Sequence, residues 1–117
     1  MYKKNPDRWA EYYTTALSNL SGFYYDQNRV KEAIVLEEES LQIRKPLYKK
    51  NPDRWAELYT KALNNLACSY FQQGDKVNAF VFSKKAYEES AKILGEDHHH
   101  TQEMKENYLY VKEELKK

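Results

Sequence analysis

With 117 residues, 19 basic and 18 acidic side chains, the chain has a formal net charge of +1, so charge gives no argument for a nucleic-acid or membrane-surface partner. One cysteine, Cys68, rules out an internal disulfide framework and fits a reducing, cytoplasmic compartment; no apolar run reaches signal-peptide or membrane-spanning length. Three glycines, three prolines and eleven tyrosines describe one helical domain, 1–117, rich in rigid rings with a single polar tip.

The ten residues Tyr2 to Glu11 recur unchanged as Tyr48 to Glu57, 46 positions on (48 − 2). Self-similarity at a period of about 20–50 residues marks a stacked helical array. The first repeat, 6–49, opens at Asn5-Pro6, an N-cap residue before a proline whose missing N–H costs nothing at a first helical position. Asp7 follows where the helix dipole favours a carboxylate. Trp9, Tyr13, Ala16, Leu17, Leu20 and Tyr24 then fall at helical spacing. The break at Asp26-Gln27-Asn28 puts Asn28 where a left-handed residue ends a helix.

The next helix carries two apolar stripes. Val30, Ala33, Ile34, Leu41 and Tyr48 form one, and Leu36, Ile43 and Leu47 the other, so it has two neighbours, as an inner element of a stack does. Pro46 removes the bond to the Gln42 carbonyl. Because both stripes continue beyond it, a kink is expected there and not a stop.

The second repeat, 52–95, restarts at Asn51-Pro52-Asp53. Its first helix spaces Trp55, Tyr59, Ala62, Leu63, Leu66 and Tyr70, and Gly74 supplies the left-handed turn. Its second carries Val77, Ala79, Phe80, Phe82, Ala86, Tyr87, Ile93 and Leu94, closed by Gly95. A fifth helix, about 99–116, has Met104, Tyr108 and Val111 on one side and mostly Glu and Lys elsewhere, the character of a polar-backed cap.

Within each repeat the spacing resembles the tetratricopeptide repeat. Leu63, Leu66, Ala67, Tyr70, Gly74, Ala79 and Ala86 carry the likeness, and Leu17, Leu20, Ser21, Tyr24, Asn28, Ala33 and Ser40 repeat it more softly. Ala67/Ser21, Ala79/Ala33 and Ala86/Ser40 would sit where helix axes approach too closely for anything larger. The long period, the run Ala62 to Ala67 and the run Ile93 to His98 look like the kinesin-light-chain variety, although His99 stands where that variety has proline. The resemblance implies an all-α, right-handed α-α superhelical solenoid of two helical hairpins plus a C-terminal capping helix, five helices in all.

It also implies a concave groove, lined by first helices, that takes a peptide segment or partner helix. Carried over residue by residue, the groove positions are Thr15, Ser18, Gly22, Tyr25 and Asp26, then Lys61, Asn64, Cys68, Phe71 and Gln72. Asn19 and Asn65 lie at the groove edge or in the helix–helix seam. Asn64 is the strongest candidate, because an amide both donates and accepts and so clamps a backbone without reading a side chain. Tyr25 and Phe71 would offer aromatic area, or pack inside their hairpins.

Other features read more plainly. Trp9 and Trp55 belong to the core stripe by their spacing from Tyr13 and Tyr59. His98, His99 and His100 are consecutive and cannot converge on one ion, so no metal or other cofactor is expected. Glu37-Glu38-Glu39 and the terminal lysines read as solvated faces. Without a phosphate loop, a catalytic triad ordering or paired carboxylates, the chain reads as a non-enzymatic protein-binding scaffold. The alternative is a regulatory array within a larger effector, binding intramolecularly. Nucleic acid and membrane are not expected partners. Tyr2-Lys3-Lys4 copies the tail of a second helix, which suggests a piece of a longer array or a very truncated natural one, an exposed apolar seam at its N-terminal end, and self-association through uncapped ends.

Overall fold

Helix starts and stops in the computed structural model, which describes residues 6–117, follow the punctuation of the sequence. Five helices occupy those residues, and no strand: α1 (Pro6–Asp26), α2 (Val30–Lys50), α3 (Pro52–Gln72), α4 (Lys76–Leu94) and α5 (His99–Lys116). Asn28 at φ 62° and Gly74 at φ 87° take the left-handed conformation. Behind them the N–H groups of Arg29 and Asp75 reach back to the carbonyls of Tyr24 and Tyr70, at 2.8 and 2.9 Å. Orphan carbonyls at both helix ends are satisfied in the same way.

Asn51 alone joins α2 to α3. Its N–H donates to the Leu47 carbonyl at 2.9 Å and its own carbonyl accepts from Trp55 N at 3.2 Å. The side-chain cap expected of Asn51 is not made; its backbone already ends one helix and begins the next. Asn5, its counterpart, lies outside the described residues. α2 runs unbroken through Pro46, in keeping with stripes that continue beyond it.

α4 is capped by Asp75, whose Oδ1 accepts from Asn78 N at 3.1 Å. The start of α5, left without its family proline, is capped by His98, whose Nδ1 accepts from His100 N at 3.1 Å.

Each helix packs on the next in sequence, and α3 also touches α5, which makes an all-α helical-repeat solenoid. Its main core gathers Tyr48, Trp55, Tyr59, Leu63, Ala86 and Met104, with Tyr48 stacked on Tyr59 at 4.4 Å between centroids. A smaller cluster holds Val30, Ile34 and Leu66. Ser21, Ala33, Ser40, Ala67, Ala79 and Ala86 are all buried, as close helix approach requires.

Two expectations need correction. Trp55 is buried but Trp9 is exposed, because spacing sets which face a residue occupies and only a neighbouring helix can bury it. Of Glu37-Glu38-Glu39 only Glu39 is exposed. Glu37 is fully buried, half-buried Glu38 accepts from Tyr70 at 3.2 Å, and Glu39 accepts from Tyr13. Three successive helical positions spread over most of a turn, so in an inner helix they cannot all face water.

Candidate functional site: a groove along α1, α3 and α5

Three adjoining hollows form one groove over the odd-numbered helices. The first, about 280 Å³, lies between α1 and α3 over α2, among Ser18, Gly22, Tyr25, Asp26, Glu37 and Asn65. The second, about 200 Å³, holds Tyr25, Asn64, Cys68, Phe71, Asn107 and Tyr110. The third, about 510 Å³, runs between α3 and α5 past Lys61, Asn64, His99, Glu103 and Asn107. Tyr25 and Cys68 join the first to the second; Asn64 and Asn107 join the second to the third.

The first hollow has a buried carboxylate in its wall. Glu37 Oε2 accepts from Ser18 Oγ at 2.9 Å and Oε1 accepts from Asn65 Nδ2 at 3.2 Å. Burial raises the Glu37 pKa, opposed by those two hydrogen bonds and by the Arg44 charge. Arg44 is itself buried and its pKa is lowered by desolvation. It donates from Nε to Thr14 Oγ1 at 3.0 Å and from Nη1 to the Leu58 carbonyl at 2.9 Å, which ties α1, α2 and α3 together beneath the groove. Asn65 therefore occupies the helix–helix seam, the second of the two places its sequence position allowed.

Asn64 faces outward into the second and third hollows. Its Oδ1 accepts from Asn107 Nδ2 at 3.2 Å. Within the described residues that leaves the Asn64 N–H donors and the Asn107 carbonyl oxygen for an incoming peptide group. Phe71 meets Tyr110 at 5.6 Å between centroids, tilted by 51°, and Tyr25 lines the same hollow. Burial raises the pKa of the Tyr25 phenol. It also raises that of the Cys68 thiol, although Cys68 as a residue is exposed. A raised thiol pKa argues against a nucleophile at neutral pH.

The structure thus brings together Ser18, Gly22, Tyr25, Asp26, Lys61, Asn64, Asn65, Cys68 and Phe71. Thr15, Asn19 and Gln72 are exposed and line none of these hollows. α5 is the contribution that sequence reasoning missed. Treated there as a cap, it supplies Asn107 and Tyr110, three residues apart on one helical face. An amide and a phenol at that spacing, on a helix otherwise dominated by Glu and Lys, was the available signal.

Two of the three consecutive histidines play structural parts. His98 caps α5, and His100 is buried with its Nε2 2.7 Å from Thr60 Oγ1. Burial lowers the His100 pKa, consistent with a neutral ring. Among the described residues no group of His, Cys, Asp and Glu could hold a metal, and no helix is long and apolar enough to cross a membrane.

A tetratricopeptide repeat family model matches residues 14–52 and 60–100. A search of curated proteins returned no match.

Proposed function

The chain belongs to the tetratricopeptide repeat family, and from that premise we propose that its groove binds an extended segment or a helix of a protein partner, as a scaffold or adaptor. Repeats of this family generally mediate protein–protein contacts and are typically non-enzymatic. The observation that carries the reading is the amide pair Asn64–Asn107, aimed into a hollow walled by Tyr25, Phe71 and Tyr110. Amides supply affinity to any peptide backbone, while the aromatic walls select a side chain. Ser18, Asp26 and Lys61 extend the polar lining at either end. The long period and the run Ala62 to Ala67 favour the kinesin-light-chain variety, in a reducing cytoplasmic setting.

A displayed random-peptide selection, counter-selected on an Asn64→Ala, Phe71→Ala double variant, tests the groove. A shared motif enriched on the parent and lost on the variant is the expected outcome. Absence of enrichment on folded protein would turn the reading towards an intramolecular, regulatory role.

Self-association is a second reading, favoured by the exposed rings Trp9, Tyr12, Tyr13 and Phe23 on α1. Light scattering should show mass rising with concentration; a strict monomer into the millimolar range would remove it.

A further inference from the structure

A second cleft shares no residue with the groove. It lies between the end of α2, the start of α3 and the C-terminal half of α4, with a volume of about 430 Å³, a size in the range of small-molecule sites. Pro52, Ile93 and the stacked pair Tyr48–Tyr59 line it with apolar surface. Its walls carry four lysines, Lys45 and Lys49 from α2 with Lys85 and Lys92 from α4, against one carboxylate, Glu89.

Glu89 is already engaged. Its Oε1 accepts from the Tyr48 hydroxyl at 2.7 Å and lies 3.8 Å from Lys92 Nζ. That carboxylate offsets Lys92, which leaves Lys45, Lys49 and Lys85 with no ion-pair partner among the described residues. Three like charges around one concavity repel one another, and a multiply charged anion between them relieves that repulsion. The chain as a whole is nearly neutral, so this is a local concentration of charge and not the overflow of a basic protein.

We propose that this cleft binds a phosphate-bearing ligand, its anionic group held between Lys45, Lys49 and Lys85 and its body resting on the apolar surface of Tyr48, Pro52 and Ile93. Lysine ammonium groups on long stems suit a compact anion met as a point charge from several sides, where arginine forks would impose a planar geometry. The ligand reaches the cleft either as a free organic phosphate or as a phosphorylated side chain of a partner; the anchoring chemistry is the same. The inference does not depend on the reading of the groove.

Calorimetric titration with sodium pyrophosphate at low ionic strength is the first arm. Saturable binding is expected, weakening with salt. The triple variant Lys45→Gln, Lys49→Gln, Lys85→Gln should lose at least about tenfold in affinity, the equivalent of one charge-assisted contact. Glu89→Gln keeps an acceptor for Tyr48 while removing the competing charge, and should bind several-fold more tightly. Asn64→Ala in the groove should leave pyrophosphate binding unchanged.

The second arm compares a phosphoserine peptide with its unphosphorylated form. Tighter binding of the phosphopeptide than of pyrophosphate assigns the cleft to a partner segment; the reverse assigns it to a free phosphate compound. Absence of saturable binding to either probe overturns the proposal. So does equal affinity for the parent and the triple variant, or a Glu89→Gln variant that binds no better than the parent.

Discussion

The helices α1 and α3 begin with the same words and end in opposite surroundings. Trp9 is 41% exposed and Trp55 1%; Leu20 is 44% exposed and its counterpart Leu66 is fully buried. What differs is the company. α3 lies between α2 and α4 and touches α5 as well, while α1 leans on α2. A repeat sequence marks a face for burial, and the stacking of neighbours carries the burial out.

That comparison can be broken most forcefully at the tryptophans. Trp55→Ala should destabilise by about 3–5 kcal/mol, the range for deleting a buried aromatic side chain. Trp9→Ala should cost about 1 kcal/mol or less, since it gives up an exposed ring stacked on Tyr13. Urea denaturation of the two variants measures both, and equal losses would show that α1 is as enclosed in solution as α3. Trp55→Phe should cost less than Trp55→Ala, because phenylalanine keeps most of the buried ring and leaves a smaller cavity; both variants remove the buried Trp55 Nε1, which has no hydrogen-bond partner among the described residues.

A second difference sharpens the comparison through pH. The buried threonines Thr14 and Thr60 occupy matching places, but Thr14 meets Arg44 while Thr60 meets His100. An arginine stays charged across the accessible range, whereas a histidine titrates. His100 has a folded-state pKa below its ordinary 6.5, so its unfolded state binds protons first. Its contribution is present above pH 6.5 and is lost as pH falls below that towards the folded value.

Glu37 has the opposite sign. Its folded pKa is raised above 4.5, so its contribution is present below pH 4.5 and is lost as pH rises through the raised value. Glu37→Gln should therefore make the acid loss from His100 easier to see, and adding His100→Gln should flatten it. Urea midpoints between pH 4 and 8 report both slopes. An acid loss that persists in the double variant would place its origin elsewhere.

The smallest effects concern two glycines in matching helices. Gly22 lies inside α1, exposed, and an added Cβ would meet nothing within 4 Å. Gly22→Ala should stabilise by about 0.5–1 kcal/mol by reducing unfolded-chain entropy. Gly74 at φ 87° ends α3, and Gly74→Ala should lose about 1 kcal/mol to left-handed strain. Thermal melts that moved both variants in the same direction would contradict that distinction.

Much of this fold was legible in the residues themselves. Asn28 and Gly74 announced their turns because few other residues tolerate a positive φ. The six small residues announced close helix approach because there is no room there for larger ones. Two stripes on α2 announced two neighbours. The candidate site was legible only in part. Ser18, Tyr25, Asn64, Cys68 and Phe71 were carried over from the family resemblance, but α5 read as a cap because only the folded chain sets Asn107 beside Asn64 and Tyr110 beside Phe71.

The sequence by itself determined where helices start and stop and which face of each is apolar, since those depend on local dihedral preferences and spacing. Tertiary structure decided which of two identical faces is covered, that Glu37 is buried with Arg44 for company, and that four lysines from two helices meet over one cleft. Burial and electrostatic environment are properties of neighbours. A residue's neighbours on other helices can lie 14 positions away, as Arg44 and Leu58 do, or 43, as Asn64 and Asn107 do, beyond the reach of local pattern.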